Sequence, residues 1–326
     1  MAGITRKKIG RAWGYFDASG TRITDRDEID RLNAIGLPPA YRDAWFCPKP
    51  NGHIQAIGWD EKGRKQYRYH GDFRAKQELA KYEGCARFGQ RLPKLRARVE
   101  ADLNLRKLSR ERAVAAVVRL LDLGHIRVGN EGYARTNKSF GATTLRCRHA
   151  KVEGSKLKLK FRAKSGKEKV MSVTDRSLSR FVKTCHDLPG QHLFQWLDEE
   201  GEPHPVSSSD VNEYIREAMD DEFTAKHFRT WGASVLAFEA LATADKDIGI
   251  KAMLEPVTEA LGNTPAIARK SYVHPMLVEI AKSGDQAALR ARPLPRATQH
   301  LSRVERGLIA LLDGDTKGKR ELKLAA

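Results

Sequence analysis

Cysteine is scarce in this chain, which has four cysteines among 326 residues. They are Cys47, Cys85, Cys147 and Cys185, and they lie far apart in the sequence. No Cys-x-x-Cys pair or Cys/His cluster has the spacing of a metal site. We therefore predict no metal centre, and we expect the cysteines to be reduced and structural.

Long apolar runs are lacking as well, and so are internal repeats and low-complexity segments. A helix needs about 20 apolar residues to span a bilayer. The first stretch, Met1-Ala-Gly-Ile-Thr-Arg-Lys-Lys8, does not contain the apolar segment of a signal peptide. We therefore expect a soluble, cytoplasmic protein with no membrane partner.

Acidic residues are outnumbered by basic ones. The 41 Asp and Glu residues stand against 59 Lys and Arg residues, which gives a formal net charge of +18. Such a chain is typical of proteins that bind a polyanion, above all a nucleic acid. A ribosome-associated or merely soluble basic protein can have the same composition, so the charge alone leaves these alternatives open.

The N-terminal part of the chain has the signals of short strands and turns. The turn pairs Asn51-Gly52 and Lys62-Gly63 bound one apolar stretch. Asp25 can cap a helix over 26–35, where apolar residues recur at helical spacing. Long helical patterns begin after residue 70. We therefore predict two domains, a β-rich domain over 1–72 and a mainly helical domain over 73–326.

The second domain starts with helical patterns over 75–92, 93–105 and 109–123. A β insertion is predicted within 143–173, and the pattern over 301–312 predicts one more helix before a basic tail. The fold class is therefore α+β, with a small N-terminal antiparallel β domain and a larger helical domain.

The β insertion contains a strongly basic hairpin. In the strand Lys156-Leu-Lys-Leu-Lys-Phe-Arg-Ala-Lys164, apolar and basic residues alternate, so five cations share one face. Ser165-Gly166 supplies a tight turn, and 167–173 returns as the partner strand. A solvated strand face is the simplest interpretation of a lone hairpin. The net charge of +18 favours a surface laid along phosphates.

A helix predicted to begin after Thr224 combines a buried stripe with two cations. The stripe consists of residues at helical spacing, namely Phe228, Trp231, Val235 and Phe238. Lys226 and Arg229 share a neighbouring face near the helix N-terminus, where an anion is stabilised. A surface basic pair is the alternative.

Arg127 follows an apolar helix over 114–123, at a point where the backbone becomes rich in glycine. An arginine there can donate to two phosphate oxygens at once. Considered by itself, Arg127 is better explained as a member of a structural ion pair.

Near the C-terminal end, a helix stop and a helix start precede a tyrosine. Gly262 suits the position just past one helix, Thr264 can cap the next, and Pro265 fits a first helical turn. Tyr272 then lies about two turns into the new helix.

In the N-terminal domain, the stretch Gly63-Arg-Lys-Gln-Tyr-Arg-Tyr69 interleaves aromatic and basic residues. Tyr67 and Tyr69 share one face of the predicted strand, and Arg64, Lys65 and Arg68 lie nearby. This composition suits contacts to a nucleic-acid backbone and groove. Tyrosines of a protein core are the alternative.

Taken together, these motifs resemble the active site of the type IB DNA topoisomerases, in the small two-domain form of bacteria and poxviruses. The residues that carry the resemblance are, in order, Arg127, Lys164, Lys226-His-Phe-Arg229-Thr-Trp-Gly232, Gly262-Asn263-Thr-Pro265 and Tyr272. The stretch Gly63–Tyr69 resembles the strand with which that family's N-terminal domain contacts DNA, so the resemblance covers nearly the whole chain.

The resemblance implies a catalytic domain of the tyrosine recombinase and topoisomerase IB type, with a three-stranded β insertion. Tyr272 would attack a backbone phosphorus and form a 3′-phosphotyrosyl intermediate. Arg127, Arg229 and Asn263 would hold the phosphate oxygens, and Lys164 would protonate the leaving 5′ oxygen.

The resemblance also implies a DNA-binding set and a way of working. The set consists of Arg64, Lys65, Gln66, Tyr67, Arg68, Tyr69, Lys167 and Lys226. No metal, ATP or other cofactor is implied. The partner is duplex DNA, around which a monomer with two domains is expected to clamp, in the cytoplasm and associated with the nucleoid.

Two positions depart from the family pattern. The family's Phe-x-Gly-Lys is Phe161-Arg-Ala-Lys164 here, and Lys167 follows a glycine. The spacing from Arg127 favours Lys164 as the general acid, with Lys167 as its rival. Many members have histidine where this chain has Asn263, which donates a hydrogen bond but carries no charge. A tyrosine site-specific recombinase is the alternative function, and a non-catalytic DNA-binding protein is a second.

Overall fold

A computed structural model of the chain describes residues 2–10, 12–284 and 286–324, with the side chains of 79, 80 and 315–324 excepted. The chain divides into two compact units, Met1–Tyr82 and Glu83–Ala326, and the division falls inside a long helix. In the described part of the chain, no helix is long and apolar enough to cross a membrane.

The first unit is built on one antiparallel sheet and one helix. In the described residues the sheet has the order β2-β1-β3-β4-β5, with the strands β1 Ile4–Ile9, β2 Ala12–Phe16, β3 Arg42–Phe46, β4 Ile54–Trp59 and β5 Lys65–Tyr69. Helix α1, Arg26–Ala34, is capped by the Asp25 carboxylate, which accepts from the backbone N of Asp27 at 2.9 Å. Its Leu32 packs with Phe46 of the sheet in a small core. The β-rich N-terminal fold is confirmed.

Helix α2, Gly71–Leu103, runs without interruption through Pro93. The prediction of two separate helices, 75–92 and 93–105, was therefore wrong. Proline inside a helix costs about 3 kcal/mol. Residues on both sides of it, including Leu92 and Leu95, are fully buried, and burying one such side chain contributes about 1.5–3 kcal/mol. Tertiary packing outweighs the local penalty.

The rest of the second unit is mainly helical. Its helices are α3 Arg110–Gly124, α4 Glu131–Asn137, α5 Arg176–His186, α6 Ser208–Met219, α7 Ala225–Ala242, α8 Ile250–Leu261, α9 Pro265–Ser271, α10 Pro275–Ser283, α11 Gln286–Arg290 and α12 Arg303–Leu324. Its strands are β6 Ala150–Glu153, β7 Lys156–Arg162, β8 Glu168–Thr174, β9 Gln195–Leu197 and β10 Pro203–Pro205. The α+β class, with a three-stranded antiparallel insertion of order β6-β7-β8, is confirmed.

The basic hairpin forms as predicted. Leu157, Leu159 and Phe161 of β7 are buried, and the alternating cations face outward. The outward face is less cationic than expected, because Lys158 pairs with Glu153 at 2.6 Å and Lys160 with Glu168 at 3.3 Å.

The last helix, α12, is fastened to the unit by a buried charge network. The Arg96 guanidinium of α2 donates to Asp122 of α3 at 2.8 Å and to Glu305 of α12 at 2.7 Å. The Trp231 indole of α7 donates to the same Glu305 carboxylate at 3.2 Å. Burial acts to raise the pKa of Glu305, but Arg96 outweighs it and the pKa is lowered.

Removing Arg96 should destabilise the protein strongly. Arg96→Met leaves the carboxylates of Asp122 and Glu305 buried without their cation, which costs about 3–5 kcal/mol of the free energy of unfolding. Urea denaturation measures this. Lys282→Met is the control, because Lys282 pairs with Glu279 at an exposed site, where an ion pair contributes about 0–1 kcal/mol. Equal losses in the two variants would contradict a stabilising network.

Candidate active site

Tyr272 lies where helix α9 ends. Thr264 caps this short helix, Pro265 is its first residue and Gly262 ends the preceding helix in the left-handed conformation, with φ 67°, as predicted. The segment is attached to α7 through the buried Ser234. The Ser234 hydroxyl accepts from the backbone N of His274 at 3.0 Å and lies 3.4 Å from the carbonyl of Tyr272. The backbone that directly follows the tyrosine side chain is therefore held against α7.

The surroundings of Tyr272 favour its phenolate. The Arg229 guanidinium carbon lies 4.7 Å from the centroid of the tyrosine ring. Burial acts to raise the pKa of Tyr272, but Arg229, and then Arg127 and Asn263, outweigh it, so the pKa is lowered. A phenol held in this way is a good candidate nucleophile toward an anionic electrophile.

Arg229 itself is buried, with 4% of the residue exposed. Its guanidinium donates to two backbone carbonyls, those of His125 and, at 3.3 Å, of Leu261. In the described residues it makes no ion pair with a carboxylate, and its buried Nε has no hydrogen-bond partner. Burial, and then the charge of Arg127, lowers the pKa of Arg229, yet an arginine stays charged. The site therefore holds a buried positive charge that an anion would neutralise.

Close packing of α7 against the end of α3 gives Arg229 its first acceptor. His125 ends α3 in the left-handed conformation, with φ 49°. Its ring lies against Gly232 so closely that a Cβ at this glycine would clash with it. The glycine after Trp231 therefore lets the two helices approach until the His125 carbonyl reaches Arg229.

Arg127 and Asn263 complete the group. The Arg127 guanidinium, on the loop after α3, donates to the Asn263 Oδ1 at 3.3 Å. The loop is held by backbone hydrogen bonds, among them one from the N of Ala142 to the Arg127 carbonyl at 2.8 Å. Asn263 Nδ2 is buried and makes no hydrogen bond within the described part of the chain. The structure thus brings together four of the predicted residues, Tyr272, Arg229, Arg127 and Asn263.

The hairpin lysines are not joined to this group. Lys164 and Lys167 flank the turn of the β7-β8 hairpin and are exposed. The turn is a tight one, with Ser165 and Gly166 both at positive φ. Within the described residues, no hydrogen bond or ion pair connects either lysine to Tyr272 or its neighbours. Neither lysine is distinguished from the other by its contacts.

Lys226 is exposed on the first turn of α7, whereas Arg229 points into the protein. The alternative of a surface basic pair was therefore wrong, because Arg229 is buried. A helix turns by about 100° per residue, so a separation of three leaves room for one side chain in the core and one in solvent.

In the first unit, the predicted aromatic residues form an exposed row. Tyr67 and Tyr69 of β5 are 41% and 49% exposed, and their ring centroids lie 6.1 Å apart. The row continues through Phe73, 5.9 Å from Tyr69, to His53. The alternative of core tyrosines was wrong.

The polar side chains beside this row differ in whether a carboxylate holds them. Lys65 lies over the Tyr67 ring at 5.5 Å, and Arg68 is exposed. Arg64 is held by Asp60 at 2.7 Å, and Gln66 donates to the same carboxylate at 3.0 Å. Asp60 therefore orients two of the predicted DNA-binding side chains.

Two residues that support the site were missed from the sequence, namely His125 and Ser234. His125 has a weak local signal, since it follows the last glycine of a helix. Ser234 has none, because its role arises from contacts with residues far along the chain.

Two family models match the chain. The model described as "Eukaryotic DNA topoisomerase I, catalytic core" matches residues 70–270, and that described as "Bacterial DNA topoisomerase IB, N-terminal domain" matches residues 12–60.

Curated relatives and solved structures extend the comparison. DNA topoisomerase 1B of Acanthamoeba polyphaga mimivirus is 32% identical over 300 residues, which cover 88% of this chain and 89% of that protein. DNA topoisomerase 1B of vaccinia virus is 24% identical over 69% of this chain and 72% of the viral one. The XerH site-specific recombinase bound to palindromic difH substrate aligns with a TM-score of 0.38 and 16% identity, over 61% of this chain and 51% of that chain. The chain belongs to the type IB DNA topoisomerase family.

Proposed function

We propose that this protein relaxes supercoiled duplex DNA by cleaving one strand, allowing it to rotate, and resealing it. The observation that carries the proposal is the buried Arg229 guanidinium, 4.7 Å from the centroid of the Tyr272 ring and without a carboxylate partner in the described residues. A phosphodiester placed there would supply the missing anion to the arginine and a target to the phenol.

The reaction assigned to the site is a transesterification. The Tyr272 phenol loses its proton to solvent, and the phenolate oxygen forms a bond to phosphorus while the bond from phosphorus to the 5′ oxygen breaks. This leaves a 3′-phosphotyrosyl enzyme and a free 5′ hydroxyl. Arg127, Arg229 and Asn263 stabilise the non-bridging oxygens as charge builds up. Lys164, with Lys167 as its rival, gives a proton to the 5′ oxygen. Resealing is the same reaction in reverse, so the energy of the broken bond is kept.

No metal or ATP is required in this proposal. The two guanidinium groups supply the positive charge that metal ions provide in other phosphoryl-transfer sites. The 3′-phosphotyrosyl bond stores the energy for resealing.

DNA binding is assigned to both parts of the chain. We propose 1–72 as the DNA-binding domain and 73–326 as the catalytic domain of a monomer that acts on nucleoid DNA. The exposed pair Tyr67 and Tyr69, with Lys65 and Arg68, suits the sugar-phosphate backbone, as do Lys167 and Lys226.

Purified protein should relax negatively and positively supercoiled plasmids in EDTA without ATP. Gel electrophoresis of the topoisomers measures this, and the denaturant-trapped protein should be attached to the 3′ end of the nick. A protein that relaxed neither the negatively nor the positively supercoiled plasmid would contradict the proposal.

Two alternatives predict other results in the same assays. A tyrosine recombinase would join partner sites through a synaptic tetramer, whereas a topoisomerase acts as a monomer on a plasmid without such sites. A non-catalytic DNA-binding protein would shift DNA in gels and trap no covalent complex.

A further inference from the structure

Lys169 is a lysine on the inner face of the basic hairpin. It lies on β8 opposite Phe161 of β7, whose side chain is buried in the core of the unit. Its own side chain is half-buried and reaches the end of helix α8. The ammonium donates to the Ala260 carbonyl at 2.7 Å and to the Glu259 carbonyl at 3.3 Å.

Two cations donate hydrogen bonds to the C-terminal end of α8. A helix leaves its last carbonyls without intrahelical partners, and its dipole makes this end negative. Lys169 takes the carbonyls of Glu259 and Ala260, and Arg229 takes that of Leu261 at 3.3 Å. Three successive carbonyls are therefore divided between a strand lysine and the arginine beside Tyr272.

The residues that follow these carbonyls belong to the candidate active site. Gly262 turns the chain in the left-handed conformation, and the next residue, Asn263, accepts a hydrogen bond from Arg127. Helix α9 then leads directly to Tyr272. Any shift of the end of α8 would move Asn263 and the acceptor of Arg229 together.

Lys169 also lies on the hairpin whose turn carries Lys164 and Lys167. The hairpin strands pair continuously from Lys156 with Thr174 to Arg162 with Glu168, so the hairpin is a firm connection from Lys169 to its turn. The contact of Lys169 with α8 therefore fixes the hairpin to the segment that carries Asn263 and Tyr272.

We propose that Lys169 is a positioning residue for strand cleavage and resealing, an inference that rests on the proposed function. It holds the end of α8 so that Arg229 and Asn263 face the phosphate, and it keeps the hairpin lysines at a fixed distance from Tyr272. By donating to the Glu259 and Ala260 carbonyls, Lys169 also weakens the electrostatic attraction between the negative end of α8 and the Arg229 guanidinium.

Lys169→Met should slow single-turnover formation of the covalent complex on a suicide duplex, and resealing by the trapped complex, by about 10²-fold each. Both steps slow because they use the same geometry, so the cleavage equilibrium stays close to that of the wild type. Lys169→Arg should recover most of the rate, and Lys169→Gln, which keeps a donor without the charge, should lie between them. Noncovalent affinity for duplex DNA should not change.

A substrate with a 5′-bridging phosphorothiolate separates positioning from proton donation. Its sulfur leaves without a proton, so it should not restore the rate of Lys169→Met. The matched control is Lys151→Met, since Lys151 lies on β6, the other edge strand of the same three-stranded sheet, has a side chain that is 77% exposed and pairs with Glu153. Its rate should equal that of the wild type.

Several outcomes would overturn the inference. Wild-type rates in Lys169→Met would do so, as would restoration by the phosphorothiolate, which would make Lys169 the proton donor. If Lys169→Met does not fold, the comparison of Lys169→Gln with Lys169→Arg tests the inference. Equal cleavage rates in these two variants would exclude positioning by the charge of Lys169. A wild-type protein that forms no covalent complex would contradict the proposed function instead.

Discussion

Tyr272→Phe should abolish plasmid relaxation and leave no protein trapped on DNA. The change removes one oxygen, the atom assigned to attack phosphorus, and loss of a nucleophile lowers turnover by at least about 10⁴-fold. Phenylalanine keeps the ring on which the Arg229 guanidinium lies at 4.7 Å, so the fold and the noncovalent affinity for duplex DNA should be retained. Relaxation of supercoiled plasmid and denaturant trapping measure the first effect, and gel shift measures the second.

A second tyrosine variant serves as the control. Tyr214 of α6 is buried and donates to the Asp102 carboxylate at 2.6 Å. Tyr214→Phe should lower the free energy of unfolding by about 1–3 kcal/mol, because a buried acceptor loses its donor. It should still form the covalent complex. Relaxation by Tyr272→Phe at the wild-type rate would contradict the assigned nucleophile.

The parts of the fold that could be predicted are those with local causes. Asp25 and Thr264 accept from backbone N–H groups in their own first turns, and Gly262 takes a positive φ at a helix end. The alternation of basic and apolar residues predicted the strand Lys156–Arg162 in the same way. Each of these signals involves residues within a few positions of one another.

The failures have non-local causes. Pro93 lies inside a helix because the core holds both flanking segments, which no pattern near the proline reveals. Lys158 and Lys160 are partly neutralised by Glu153 and Glu168, whose distances depend on strand register. Lys169 resembles its exposed neighbours in sequence, and only the position of α8 distinguishes it.

The candidate site shows why its residues had to be recognised as a set. Arg127, Arg229 and Asn263 come from three separate segments, and each has an ordinary structural explanation by itself. Their chemistry depends on being close to one another, as when Arg127 and Arg229 both favour the Tyr272 phenolate. A buried Arg229 without a carboxylate partner in the described residues reduces stability, and binding of a phosphate would offset that cost.

Lys164→Ala should slow cleavage of an ordinary DNA strand by about 10²–10⁴-fold, the range for loss of a general acid. The departing 5′ oxygen is strongly basic and needs a proton as the bond to phosphorus breaks. A 5′-bridging phosphorothiolate leaves as a thiolate, whose conjugate acid has a pKa of about 8.5, so it departs without help. Cleavage of this substrate by Lys164→Ala should therefore return to nearly the wild-type rate.

Lys167→Ala is the matched variant, because Lys164 and Lys167 flank the same turn and are both exposed. It should cleave ordinary DNA within about tenfold of the wild-type rate, since a phosphate contact contributes to affinity more than to chemistry. The phosphorothiolate should then give it no further gain. The opposite pattern would assign the role of general acid to Lys167. In that pattern Lys167→Ala would cleave ordinary DNA very slowly and regain its rate on the phosphorothiolate, while Lys164→Ala would be only mildly slowed.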